Sequence, residues 1–303
     1  MKRIVNLLVV GVFVSLAMIS PSSAAENEAD APSPSDMRSG TIFHVDVASG
    51  DDDHDGLTHE KALATIQNGI NSAKDGDTVL VWPGAYTQAI SFKGKAITVT
   101  SAAEPAMLEA PGDFAVSFAG GEDPNSVLSN FIIRNSRMAT FIAAASPTLT
   151  NLTVVANEHG IGAYGRCQPN ISNSIFWNNA KGDLFQCQAR YSCFAGAGDG
   201  EGNIHLDPQF ADPNLHDYHL RSERGRYWPK HKIWVLDKVT SPCVDAGDPS
   251  ADCANEHEPN GGRVNMGAYG GTAYASLSEP AMYGNVGRRD AADRTDLATE
   301  AND

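Results

Sequence analysis

Two stretches of this chain follow one template. "SPTLTNLTVVANEHG", from Ser146 to Gly160, and "QPNISNSIFWNNAKG", from Gln168 to Gly182, share Pro147/Pro169, Asn151/Asn173, Asn157/Asn179 and Gly160/Gly182 at a constant offset of 22 residues. Leu149/Ile171 and Val155/Trp177 are conservative pairs in the same alignment, and "LSNFIIRN" (Leu128–Asn135) reads as an earlier copy at 21 to 22. A fixed period of roughly 20 to 50 residues marks a solenoid. A unit this short, made of strands and tight turns, closes one coil of a parallel β-helix. Successive coils then stack about 4.8 Å apart, and each buries its inward side chains on its neighbour. Asparagine suits the corners: it accepts left-handed backbone, and its amide can bond to the equivalent residue of the next coil.

The rest of the chain agrees with an all-β reading. Alternation begins at "TIFHVDVASG", as expected of a strand. One helix follows, with Leu63, Ile66, Ile70 and Ala73 on one face and Gly76 as its C′ residue. Short apolar bursts then take over, among them "TVLVWPG", "AITVTSA", "FAVSFAG", "VLSNFIIRN", "LTVVAN" and "SIFWNN", each ended by Gly, Pro, Asn or Ala-Ser. The expected organisation is a leader over 1–25, a flexible linker over 26–40 and a capped β-helix over 41–206. A C-terminal cap over 207–274, closing the far end of the solenoid, and a polar disordered tail over 275–303 complete it.

Lys2 and Arg3, an apolar run from Ile4 to Ile19 and Ser23-Ala24-Ala25 form the pattern of a secretory signal. The run is shorter than the roughly 20 apolar residues of a membrane span. The chain is therefore expected outside the cytoplasm, extracellular or periplasmic. With 22 Lys and Arg against 37 Asp and Glu, the formal charge is −15, which argues against a nucleic-acid partner. Five cysteines in an exported chain allow disulfides and leave one thiol over. Cys243 with Cys253 and Cys167 with Cys187 are the pairs suggested by spacing, with Cys193 competing for Cys187.

"HVDVASGDDDHDGLTHEKALATIQNGINSAKDGDTVLVWPGAYTQAI" resembles the opening segment of right-handed parallel β-helix proteins of the pectate-lyase-like superfamily. "SPCVDAGDP" and "NMGAYGG" are similar to C-terminal segments of bacterial secreted members. The resemblance runs from about Thr41 to Thr272. It implies a right-handed parallel β-helix with a short N-terminal capping helix and an irregular C-terminal cap. It does not fix an activity, since the fold hosts many. In the family's lyases a Lys or Arg on the flank removes the proton beside a uronate carboxylate, whose charge calcium or neighbouring groups relieve.

Two residues beyond Asn135, Asn157 and Asn179 come Arg137, His159 and Lys181, which would stack as a basic column on consecutive coils. Clustered cations lower one another's pKa and favour a free amine. The resemblance then implies Lys181 as base and Arg137 as carboxylate clamp, with His159 between them. The competing reading is a solvated flank. The family's acidic ligand cluster has no visible counterpart, because Glu122, Asp123 and Asp183 are scattered.

Two further candidates stand out. Asp51, Asp53 and Asp55 are spaced like the start of a calcium loop, although its twelfth position is Ala62 rather than Glu; calcium is the one cofactor suggested. "RSERGRYWPKHKIWVLDK" (Arg221–Lys238) reads as a basic, aromatic hairpin. In it Arg226, Tyr227, Trp228, Lys230 and Trp234 could hold an acidic glycan, or the hairpin could simply cover the last coil. The expectation is a monomeric, exported β-helix protein that binds extracellular acidic polysaccharide, with a β-eliminating lyase on uronate-containing glycans as the alternative.

Overall fold

The computed structural model describes residues 40–196 and 198–279. The leader, most of the linker and the tail from 280 onward lie outside the described residues. The chain winds into a parallel β-solenoid of about five turns with three faces. Sheet A holds Ile42–Val45, Thr78–Val81, Thr98–Ser101, Val127–Ser129, Thr148–Thr150, Asn170–Ser172 and Ala189–Arg190. Sheet B holds Ala85–Tyr86, Ala106–Leu108, Phe131–Ile133, Thr153–Val155, Ile175–Trp177 and Cys193–Phe194. Sheet C holds Ile90–Ser91, Val116–Phe118, Met138–Ala143, His159–Tyr164 and Leu184–Phe185. Each coil visits A, B and C in turn, and every pairing within these sheets is parallel.

Register partners on sheet A give successive coil lengths of 20, 29, 21, 22 and 18 residues, from Thr78↔Thr98, Thr98↔Val127, Val127↔Thr148, Thr148↔Asn170 and Ile171↔Ala189. The written period of 22 therefore belongs to one lap. Elsewhere the loops absorb the difference while the strands stay aligned. Inside, Leu108, Ile133, Val154, Phe176 and Phe194 form one column of core side chains contributed by sheet B. Phe92 packs on Phe118 with centroids 4.3 Å apart. Asn157 and Asn179 lie on adjacent coils as expected: the Asn157 backbone N–H and amide both donate to Asn179 Oδ1 at 3.1 Å. Ser136 rather than Asn135 continues this column, its N–H donating to Asn157 Oδ1 at 3.0 Å.

The N-terminal end is capped as the apolar face predicts, by a shorter helix. This helix, α1 (Ile66–Ser72), starts at the Thr65 N-cap. Leu63 lies before it and bridges to Val45 in the sheet. Gly69 lets the helix settle onto the first coil, since a Cβ there would stand 2.7 Å from Val79 Cγ1. Lys95 Nζ closes the other end, donating to the carbonyls of Ile70, Asn71 and Ala73 at 2.6–2.9 Å. A cation there also answers the negative end of the helix dipole.

The segment after Asp207 departs from expectation. It does not close the far end; residues 198–206 do, with Ile204 bridging to Cys193 and His205 edge-on to Phe194. Residues from Phe210 onward instead run as a strap along the outside of sheet B. There Phe210, Tyr218, Leu220, Met266 and Ala268 form a second apolar cluster with Ile132, Val155 and Ile175. Outward-facing Ile132, Thr153, Ile175 and Cys193 are consequently buried. Along the strap sheet B is covered on both faces, and Ala106–Leu108, Phe131–Ile133 and Ile175–Trp177 read as uninterrupted apolar triplets.

The A–B corners are the rail on which the strap docks. Asn130, Asn151 and Asn173 sit there at φ +59°, +49° and +50°. Asn130 Nδ2 donates to the Ala268 and Gly270 carbonyls, and Asn151 Nδ2 to those of Asn265 and Gly267. Asn173 accepts from Asp248 N through Oδ1 and from Gly267 N through its carbonyl. "NMGAYGG" is thus the part of the strap that reads these corners. A Cβ on Gly270 would lie 2.5 Å from the Asn151 amide nitrogen. The expected tail remains part of the strap through Glu279, Ser276 donating to the Leu220 carbonyl at 2.6 Å.

Glu256 anchors this strap from within. Its Oε1 accepts from Asn265 N (2.9 Å) and Gly271 N (2.8 Å), while the buried Oε2 has no partner. Burial above all, with the nearby Asp245, pushes its carboxyl up to about 7 against those two backbone donors. A raised folded-state pKa means that stability is fully present below the unfolded value and is lost as pH rises through the folded one. Denaturant unfolding should therefore show stability falling by about 3 kcal/mol between pH 4.5 and 7.5 through this group. Glu256→Gln should remove that share of the slope.

Candidate functional site

Of the three outer faces, the strap covers B. Face A carries a hydroxyl ladder, with Ser129 bonded to Thr100 at 2.8 Å and Ser172 to Thr150 at 3.3 Å. Face C presents rings. Phe114, Phe141, Tyr164 and Phe185 come from four successive coils, with centroids 5.0, 5.3 and 5.4 Å apart. Phe114, Tyr164 and Phe185 are 36%, 38% and 49% exposed. Gly162 makes the stack continuous. It lies in register between Phe141 and Phe185, and a Cβ on it would meet Tyr164 Cε2 at 2.9 Å and Met138 Sδ at 3.0 Å. The Tyr164 ring therefore lies over the empty glycine position. Beside it opens a groove of about 460 Å³ lined by Glu122, Asp123, Ala144, Ser146, Tyr164 and Arg166.

Sequence reasoning missed this strip because Phe141 and Tyr164 are not at equal positions in the repeat: 23 residues separate them, while their strands are offset by 21. The signal available was one aromatic residue, outside the core, near each of the last four sheet C strands.

The expected basic column lies at the edge of this same face, one step out of phase. His159 pairs with Met138, not Arg137, because that coil is one residue shorter than the template. Lys181 N donates to the Glu158 carbonyl, which places Lys181 beside His159. Each strong cation already has a carboxylate: Arg137 has Asp113 at 2.9 Å, and Lys181 has Glu158 at 2.6 Å, with His159 3.7 Å from Glu158. The Lys181 ammonium holds the Glu158 carboxyl below its usual value. Asp183 is used internally, accepting from Asn179 and from Ala195 N, and burial raises its pKa. The arrangement is a charge-paired flank.

The hairpin forms, Arg226–Trp228 against Ile233–Val235, but its side chains diverge. Tyr227 pairs with Trp234 on one face of the ribbon and Trp228 with Ile233 on the other, so the two indoles share no platform. Arg226 Nε lies 2.9–3.1 Å from both Asp237 oxygens and its Nη1 3.5 Å from Asp217, all three side chains largely buried. Tyr227 faces His219 and Tyr274, and Trp228 lies on His231. Lys230 sits in the turn. Arg226 and Tyr227 therefore fasten the hairpin to the strap.

Asp51, Asp53 and Asp55 do not converge on a cation. Asp51 accepts from Asp53 N and Asp55 from Leu57 N, and Asp55 also faces Lys61 at 3.7 Å. Among the described residues no three His, Cys, Asp or Glu are grouped to hold a metal ion. Nor, among them, is any helix long and apolar enough to cross a membrane.

These features define a parallel β-solenoid with a side strap and one open aromatic face. Residues 130–247 are similar to a family described as disaggregatase related, a stretch that takes in the later coils and the first part of the strap. Among curated proteins and among solved structures, none matches the chain.

Arg226→Ala removes, among the described residues, the only cation beside the buried Asp237 carboxylate and leaves Asp217 to His219, and it should cost about 3 kcal/mol or more in denaturant unfolding. Lys181→Ala removes only an exposed pair and should leave the denaturation midpoint nearly unchanged.

Proposed function

We propose that this chain binds an extended polysaccharide along the outer face of sheet C. The observation that carries the reading is the exposed stack of Phe114, Phe141, Tyr164 and Phe185 over four coils. Rings left in water on a rigid sheet form a contiguous apolar strip of the kind that marks a binding surface. Sugar rings present flat C–H faces that pack on aromatic faces, and a strip rising one ring per coil suits a linear polymer better than a compact ligand. The resemblance of the opening segment to pectate-lyase-like proteins supports a carbohydrate partner, and the signal-like first 25 residues support an encounter outside the cytoplasm.

Charge along the flank is balanced pair by pair, so ring stacking supplies most of the affinity. Arg166, at the groove beside Tyr164, has no ion pair among the described residues. It is the natural contact for a uronate carboxylate, since a guanidinium binds carboxylate in bidentate fashion. The alternative, β-elimination by Lys181, gains no support from geometry, because that amine is engaged by Glu158.

Calorimetric titration with a neutral glucan and with polygalacturonate tests the reading. Phe141→Ala with Tyr164→Ala should weaken binding at least about tenfold, or about 1.4 kcal/mol. Arg166→Ala should weaken only the acidic polymer. Binding that is unaffected by loss of both rings would refute the site.

A further inference from the structure

We propose that Cys193 and Cys243 are a disulfide pair that locks the strap onto the last coil. All five thiols are free in the structure, so the inference concerns which two join on oxidation. Cys193 lies on the last strand of sheet B, in register with Ile175 and facing outward into the strap. Cys243 comes from the strap. Both are 0% exposed and belong to one apolar cluster with Phe210, Tyr218 and Met266. Cys193 is the thiol that neighbours Cys243 in this cluster, and while reduced it donates to the Leu206 carbonyl at 3.2 Å.

Backbone contacts fix both partners. Cys193 N donates to the Ser174 carbonyl at 2.8 Å, tying it to the coil below. Cys243 N donates to Ser241 Oγ at 3.1 Å and its carbonyl accepts from Met266 N at 3.0 Å. The expected partner of Cys243 was Cys253, ten residues on by number. Cys253 instead has the carboxylates of Glu256, Asp252 and Asp245 as its charged surroundings. Cys167 and Cys187 lie elsewhere, their thiols directed at the Tyr164 and Ile161 carbonyls.

Oxidation by a small disulfide such as oxidised glutathione balances in two exchanges. One protein thiolate attacks the glutathione disulfide, forming a mixed disulfide and releasing one glutathione thiolate. The second protein thiolate attacks the protein sulfur of that bond, releasing the other glutathione and leaving the Cys193–Cys243 bond. Two protein thiols are oxidised, one glutathione disulfide is reduced to two thiols, and the thiol protons pass to solvent or to the departing thiolates. Burial pushes the Cys243 thiol far above its usual value, so its thiolate is scarce while the strap is docked. The first exchange therefore belongs to the undocked strap, and docking brings the second thiol into place. Oxidation should be fast during refolding and slow on the folded, reduced protein. The product closes the chain from 193 to 243, so that the strap no longer detaches independently of the coil.

The full chain refolded in a glutathione redox buffer, alkylated and mapped by non-reducing peptide mass spectrometry decides the matter. A peptide pair joined through Cys193 and Cys243 is expected. It should be absent from Cys193→Ser and from Cys243→Ser, and retained in Cys167→Ser. Adding reductant should lower the denaturation midpoint of the wild type, with a smaller change in Cys193→Ser. Both cysteines recovered alkylated, or either one joined to a different cysteine, overturns the proposal. The wild-type map gives this answer even if a serine variant fails to fold.

Discussion

A sheet that is apolar on both faces has to be covered twice, and that requirement organises this molecule. Sheet B turns Leu108, Ile133, Val154, Phe176 and Phe194 into the solenoid while its other face carries Met107, Ile132, Thr153, Ile175 and Cys193. Stacking coils satisfies only the inner set. Burying a side chain such as Ile132 or Ile175 is worth roughly 1.5–3 kcal/mol, and coil stacking leaves the outer set without that gain. The strap from Phe210 to Glu279 supplies the missing cover. Its polar backbone is met by corner asparagines whose left-handed conformation aims their amides outward. Polar and apolar parts of the interface are thereby satisfied together, as burial of backbone demands.

Covering B leaves the other two faces in contact with solvent. Face A spends its side chains on hydroxyl ladders within the sheet. Among the described residues, face C exposes a contiguous run of large rings, three of them on strands and Phe114 just before one, with a groove at its edge. Its flanking charges cancel locally. The strongly acidic composition thus describes the whole chain and not this flank, where Arg137 and Lys181 each face a carboxylate.

Much of the fold was legible. The 22-residue echo identified coils, and Asn157 on Asn179 is the contact it implied. The cap helix followed from its apolar face, although Thr65 rather than Leu63 begins it. The hairpin was visible from two aromatic arms, yet which way each arm faced was not: pairing Tyr227 with Trp234 puts the two indoles on opposite sides. The three basic residues do gather around Glu158, but a coil of 21 rather than 22 puts Met138, not Arg137, in register with His159. The strap was read as an end plug since its period vanishes, and loss of period does not say where an irregular segment docks.

The residue order by itself determined that the chain coils, where the corners fall and which strands are apolar throughout, because these are consequences of local pattern and of repeats touching one lap apart. Tertiary structure alone decided that the strap lies along face B, that four rings from different laps form one stack, and that Cys193 meets Cys243. Those contacts join residues at irregular separations along the chain, and only the packing of one layer on the next brings them together.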